Sequence, residues 1–219
     1  MSKRISVKVC GITRESDIKQ ALSLGADHLG FILYSKSPRA LNLEKAAELL
    51  TFVPNGKRVV VDVGTDPVDL ERYKKAGFNY FQIHVTSSLD PKILNEYSAV
   101  IGHDQLWLAP RLAPTDPFPE WMLEYTRTIV FDTYSKDQFG GTGRTGDFAR
   151  FAKLKKQFTD TNWVLAGGLN PTNIVAAVRE STTEAVDVNS GVEIAPGVKD
   201  SEKLRDFFQA LRDLNQKGE

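Results

Sequence analysis

The chain has one cysteine, Cys10, two residues after Lys8 and directly before Gly11. Period-two alternation in an extended segment puts Ser6, Lys8 and Cys10 on one face and Ile5, Val7 and Val9 on the other. With the valine face against helices, Lys8 and Cys10 point to the interior or the mouth of a sheet. An ammonium beside a thiol favours the thiolate, and a free thiol ionises near about 8.5. Cys10 is therefore a candidate general base; the competing reading is a small buried hydrophobe. Asp132 ends the run Thr128–Asp132 and is either an acid at a strand end or a turn former. Arg39, after Ser37-Pro38, is either a solvated surface charge or a two-pronged contact for a ligand carboxylate. His84 either packs or lines a mouth.

Glycines follow two further runs, as Gly167-Gly168 and as Asn189-Ser190-Gly191. They are either tight turns or loops whose backbone N–H groups approach an anion, such as a phosphate. The segment Gly140-Gly141-Thr142-Gly143 lacks a following Gly-Lys-Ser/Thr, so it is not a P-loop. Lys8 and Asp187 both lie inside apolar runs. If the first and last strands are neighbours the two can pair, which accounts for two charges inside strands without a catalytic role. His28 and His103 have no sequence neighbours that suggest a metal. Trp107, Trp121 and Trp163 read as packing residues.

These residues need elements to position them. Short β-branched runs at Ile5–Val9, His28–Leu33, Arg58–Val63, Tyr80–His84, Leu106–Ala109, Thr128–Asp132, Trp163–Ala166 and Ala185–Val188 read as strands. Helical patterns cover Ser16–Leu24, Leu43–Phe52, Asp66–Lys75, Pro91–Tyr97, Asp147–Gln157, Pro171–Arg179 (capped by Asn170) and Ser201–Leu214. The stretch Pro110–Pro119 reads as irregular, Trp121–Tyr125 as a helical turn or two, and Thr133–Gly146 as a loop. Alternating strands and helices imply a parallel sheet with helices outside. Eight strands in 219 residues fit a closed (β/α)8 barrel better than a doubly wound open sheet. The candidate residues then fall on the rim where strands end. No composition break suggests a linker, so a single domain over residues 1–219 is expected.

Composition narrows the partners. Lys+Arg and Asp+Glu are 28 each, so the global basic excess of a nucleic-acid binder is absent. One cysteine excludes an intrachain disulfide framework and a multi-cysteine zinc site. Lys8 interrupts the first apolar run, which makes a poor signal peptide, and no apolar stretch approaches a membrane span. A soluble, cytoplasmic protein is expected.

Lys8-Val9-Cys10-Gly11-Ile12-Thr13 resembles the opening of the phosphoribosylanthranilate isomerase family of tryptophan biosynthesis. The resemblance continues in order through Gly25-Ala26-Asp27, Ser37-Pro38-Arg39, Gln82-Ile83-His84, Phe131-Asp132-Thr133 and Gly140-Gly141-Thr142-Gly143. It ends with Leu165-Ala166-Gly167-Gly168-Leu169-Asn170-Pro171, Asp187-Val188-Asn189-Ser190-Gly191-Val192-Glu193 and Pro196-Gly197-Val198-Lys199-Asp200.

The resemblance implies a (β/α)8 barrel that turns N-(5-phosphoribosyl)anthranilate into 1-(2-carboxyphenylamino)-1-deoxyribulose 5-phosphate. This is an Amadori rearrangement, the third step from chorismate to tryptophan, with no metal or organic cofactor. It implies Cys10 as general base, Asp132 as general acid and Arg39 on the anthranilate carboxylate. His84, Gly141, Gly167, Gly168, Asp187, Ser190 and Gly191 complete the implied substrate-binding set. The only partner implied is a small phosphorylated substrate, with neither nucleic acid nor membrane, for a monomer or homodimer. Val60-Val61-Asp62 and Val85-Thr86 depart from the family pattern, so the third and fourth loops are expected to differ in shape. A histidine-pathway barrel isomerase would carry an aspartate where Cys10 stands. A non-catalytic sugar-phosphate binder would be favoured by loss of Cys10 or Asp132, and both are present.

Overall fold

A computed structural model describes residues 4–86, 88–132 and 147–216. The expected loop Thr133–Gly146, with Gly141, lies outside the described residues. Eight parallel strands close in sequence order: β1 (Ser6–Val9), β2 (His28–Ile32), β3 (Arg58–Val63), β4 (Tyr80–Thr86), β5 (Leu106–Arg111), β6 (Thr128–Phe131), β7 (Asn162–Leu165) and β8 (Ala185–Val188). The helices are α1 (Glu15–Leu24), α2 (Leu43–Leu50), α3 (Pro67–Ala76), α4 (Pro91–Ile101), α5 (Phe148–Gln157), α6 (Ile174–Ser181) and α7 (Ser201–Gln216).

Local chemistry sets the helix starts. The side chains of Asn42, Asp66, Asp90 and Asp147 accept backbone N–H bonds from Lys45, Val68, Lys92 and Arg150, satisfying donors that a first turn leaves unpaired. Pro67 and Pro91 occupy first-turn positions where no N–H is needed.

Strand alternation sorts side chains into two apolar layers. Val7, Val9, Leu29, Phe31, Ile83, Leu108 and Val186 join the helices' inner faces in the main core. The opposite face fills the barrel with Cys10, Ile32, Val59, Val61, Trp107, Ala109, Val130, Val164 and Ala166. Lys8 and Asp187 share this inner face as register partners on β1 and β8. Lys8 Nζ lies 2.7 Å from Asp187 Oδ2, with the side chains 2% and 7% exposed. Gly30 makes room for this pair. A Cβ there would stand 2.9 Å from Cys10 Sγ and 3.0 Å from Lys8 Nζ, inside ordinary contact distance.

Several elements differ from the sequence expectation. β4 runs on to Thr86, α4 to Ile101, and β5 through Pro110 to Arg111. The β5–β6 ladder has ended by Leu108, so Pro110 sits where β5 is an edge on that side and proline is tolerated. Trp121–Tyr125 is a 3-10 turn over Glu120–Glu124. Asn170 does not cap a helix starting at Pro171. Its Oδ1 accepts from the N–H groups of Thr172 and Asn173, closing a turn, and α6 begins only at Ile174. A short antiparallel hairpin, β9 (Glu193–Ala195) and β10 (Val198–Lys199), follows β8 and was not anticipated.

Truncating one member of a buried ion pair strands the other charge, at a cost of about 3–5 kcal/mol, whereas replacing both is far milder. Lys8→Met should lower the urea unfolding midpoint strongly, and Lys8→Met with Asp187→Leu should regain most of the loss. Equal midpoints for Lys8→Met and the parent would show that the pair contributes nothing.

Candidate active site

Cys10, Asp132, Gly167 and Asn189 lie at or just past the ends of β1, β6, β7 and β8, on the C-terminal rim of the barrel. One pocket there is lined by Cys10 and Asp132 together with Arg39, His84 and Asp187, and by the loop residues Gly167, Gly168, Ser190 and Gly191. The structure thus brings together every site residue named from the sequence except Gly141, which is outside the described residues.

Cys10 is 4% exposed and belongs to the apolar layer inside the barrel as well as to the pocket wall. This corrects two expectations. The residue is packed rather than simply perched on a rim, and the neighbouring ammonium does not produce a low-pKa thiol. Burial pushes the Cys10 thiol up from its ordinary value, and Lys8, which pulls the other way, does not compensate. Burial likewise works against the Lys8 ammonium, but Asp187 and then Cys10 outweigh it and hold Lys8 above its usual value. His84 is brought down to about 4 by burial and by the Lys8 charge, so it is neutral at pH 7. Its Nε2 lies 3.3 Å from Gln82 Nε2.

Arg39 is not a solvated surface charge. Its Nε lies 3.0 and 3.1 Å from the two carboxylate oxygens of Glu193, and its Nη2 donates to Oε2 at 2.7 Å. One edge of the guanidinium fork is therefore occupied, while Arg39 itself lines the pocket. Lys199 Nζ donates to Glu193 Oε1 at 2.9 Å. Burial opposes the charge on Glu193, but Arg39 and Lys199 together hold its carboxyl below the usual range.

The two glycine-bearing loops offer donors. Among the described residues, the N–H groups of Gly168, Ser190 and Gly191 have no protein acceptor. Gly167 and Gly168 both take positive φ, 90° and 64°, conformations open to glycine at no steric cost. The Gly168 carbonyl is tied back by Asn173 Nδ2 at 2.9 Å and Asn170 Nδ2 at 3.3 Å. Converging backbone donors of this kind suit an anion such as a phosphate group.

Two acceptors in the pocket wall lack partners. Gln82 Oε1 and Asp187 Oδ1 are buried with no hydrogen bond among the described residues. Such atoms are costly unless a ligand or water donates to them, and ligand hydroxyls would serve. The sequence reading assigned no role to Gln82, Asn189, Glu193 or Lys199, although each lies in a quoted motif. Asp62, a departure in β3, accepts from the Tyr73 hydroxyl at 2.8 Å. No group of three or more His, Cys, Asp or Glu side chains among the described residues is placed to hold a metal ion, and no helix among them is long and apolar enough to cross a membrane.

A closed parallel barrel whose strand ends gather a thiol, a carboxylate, an arginine and anion-ready loops has the layout of a (β/α)8-barrel enzyme. Residues 7–210 match the family described as N-(5'phosphoribosyl)anthranilate (PRA) isomerase, and the chain belongs to that family. It is 33% identical to an N-(5'-phosphoribosyl)anthranilate isomerase of Zymomonas mobilis over 95% of this chain and 98% of that protein. The Thermus thermophilus phosphoribosyl anthranilate isomerase structure superposes with a TM-score of 0.82 at 29% identity, covering 96% of this chain and all of the other. A further isomerase of the family, solved in complex with reduced 1-(o-carboxyphenylamino)-1-deoxyribulose 5-phosphate, gives 0.76 at 26% identity over 95% and 99% of the two chains.

With one cysteine in the chain, the difference in absorbance near 240 nm between the parent and Cys10→Ala reports the Cys10 thiolate, because the tyrosinates contribute to both. That difference should titrate above the pH of a free thiol, about 8.5. A midpoint below 7 would contradict the dominance of burial over the Lys8 charge.

Proposed function

We propose that this chain isomerises N-(5-phosphoribosyl)anthranilate to 1-(2-carboxyphenylamino)-1-deoxyribulose 5-phosphate with its own side chains as acid and base. The observation that carries the reading is one pocket walled by Cys10 and Asp132, just past the ends of β1 and β6, and by Gly168, Ser190 and Gly191, whose N–H groups have no acceptor among the described residues. A substrate with phosphate at one end and an aromatic carboxylate at the other would span from those loops to Arg39.

The chemistry follows from the types. Asp132, as the carboxylic acid, gives its proton to the furanose ring oxygen while the C1–O bond breaks. The anilino nitrogen lone pair forms the C1=N bond of the resulting Schiff base. Cys10, as thiolate, takes the C2 proton. The C2–H electrons become the C1=C2 bond, and the C=N π electrons return to nitrogen. The enolamine then gains a proton at C1 and loses one from the C2 hydroxyl, leaving the ketone. The two groups act from different sides of the sugar because β1 and β6 are three strand positions apart around the barrel.

A buried thiol needs a counter-charge to act as base. Lys8, on the same inner face, supplies it; Asp187 accepts from Lys8 through Oδ2 and keeps Oδ1 for a sugar hydroxyl. With the Cys10 pKa raised, thiolate opposite a protonated Asp132 is a minority state. The pH profile of kcat/KM is then a bell whose limbs belong to the pair rather than to either residue.

Loss of phosphoribosylanthranilate fluorescence on adding purified protein tests the function; folded protein that leaves it unchanged would refute it. Cys10→Ala and Asp132→Asn should each cut kcat by about 10²–10⁴-fold, the worth of a positioned base or acid. Near-parental turnover in folded Cys10→Ala would overturn the assigned base. Gly168→Val, which puts a β-branched side chain at φ 64°, should raise KM strongly, since the phosphate contact is made in ground and transition states alike. An unaltered KM would remove that loop from the site.

A further inference from the structure

Arg39 reaches the pocket, but the groups that fix its orientation stand behind it. Glu193, on β9, does not line the pocket; its side chain is 4% exposed. It takes both bonds of one guanidinium edge, and its Oε1 also accepts from the backbone N–H of Gly197 at 3.2 Å. The carboxylate is held in turn by Lys199, on β10, whose side chain is fully buried. Lys199 Nζ makes two further bonds, to Asn189 Oδ1 at 3.0 Å and to the Asn189 carbonyl at 3.2 Å. Asn189 immediately precedes Ser190 and Gly191, which line the pocket and whose N–H groups have no acceptor among the described residues. One buried ammonium therefore bonds both to the carboxylate that aims Arg39 and to the loop that offers N–H groups. The two arms meet over Gly11, where a Cβ would lie 2.5 Å from Asn189 Oδ1 and 2.8 Å from Arg39 Cδ.

We infer that Glu193 and Lys199 are positioning residues forming a buried strut, which sets the guanidinium that grips a substrate carboxylate in fixed relation to the loop that grips its phosphate. The inference rests on the reading of Arg39 and the β8 loop given above. Charge counting supports it. Burial brings Lys199 below its ordinary value against the pull of Glu193, but its Nζ has three acceptors, Glu193 Oε1 and the two Asn189 oxygens, which suits an ammonium. Arg39 and protonated Lys199 then carry two positive charges and Glu193 one negative, leaving net +1 for a single ligand carboxylate. Rigidity supports it too, because a fork with one edge locked loses less freedom when the other edge binds. Glu193 is thus a specificity device: it makes the site prefer a substrate with a carboxylate at one set distance from its phosphate.

The test measures the kcat/KM preference for the phosphoribosylated anthranilate over the phosphoribosylated aniline, which lacks the carboxylate. Inorganic phosphate serves as a competitive inhibitor reporting the other end. Glu193→Gln should shrink the preference by about tenfold or more, the scale of a disturbed charge-assisted bond, mainly through KM, and leave inhibition by phosphate unchanged. Lys199→Met should shrink the preference and also weaken inhibition by phosphate. Glu193→Asp keeps the charge but shortens the arm, and should lose preference while retaining a native unfolding midpoint, so a misfolded Lys199→Met would not shield the idea. Full preference in folded Glu193→Gln and Glu193→Asp would overturn the strut. The underlying reading fails differently: Arg39→Ala should abolish the preference, and if it does not, Arg39 never held the carboxylate. Preference lost in Arg39→Ala but intact in both Glu193 variants would sink the strut alone.

Discussion

A single ion pair in the middle of the barrel, Lys8 with Asp187, sets terms for everything above it. A lone charge there would be untenable, and a bond of 2.7 Å across the β1–β8 seam makes each residue the condition for the other. Closure of the barrel and neutralisation of its interior are therefore one event: the first strand can be charged only because the last one answers it. Asp187 reaches the active pocket, and Lys8 lies beside the thiol of Cys10. Gly30, on the neighbouring strand, gives up a side chain so that the pair and the thiol fit together. The inside of the barrel is thus less a hydrophobic plug than a base plate on which the chemistry is mounted.

Around that base the structure spends charges sparingly. Three cations at or beside the pocket have acidic partners among the described residues: Lys8 has Asp187, and Arg39 and Lys199 share Glu193. The surplus is small and local. A ligand with separate anionic ends meets one surplus positive charge at the Arg39–Glu193–Lys199 cluster and neutral backbone dipoles at the glycine loops. Those dipoles carry no net charge and need no counter-ion, so binding there does not require a salt bridge to break first.

Much of this was legible in the residues, and the failures share a physical cause. Strand alternation places Lys8 and Cys10 on the inner face, because period two is a local property, and the Lys8–Asp187 pair follows from that only once the first and last strands are neighbours in a closed barrel. The starts of the helical patterns at Asp66 and Asp147 are readable for the same reason. The β9–β10 hairpin was not: strands of three and two residues are too short to show a period, and the buried charges of Glu193 and Lys199 hide any apolar pattern. The Arg39–Glu193 contact joins residues 154 positions apart, which no window along the chain can reveal. Asn170 looked like a helix cap because an Asn before a proline fits one; its bonds to Thr172 and Asn173 make a turn instead. The Lys8 ammonium, visible two residues away in the sequence, favours the Cys10 thiolate, whereas burial, the larger influence, opposes it and exists only in the folded barrel.

That burial has a consequence for durability. Peroxides and alkylating agents attack thiolate, not thiol, and favour accessible cysteines. A cysteine that is 4% exposed and whose thiol burial pushes up from its ordinary value is a poor target for either. A cell under oxidative stress would find this residue quiet, even though an activated, low-pKa thiol in the same position would be consumed. The environment that keeps the thiolate scarce therefore also preserves the protein's one sulfhydryl from the damage that reactive cysteines invite.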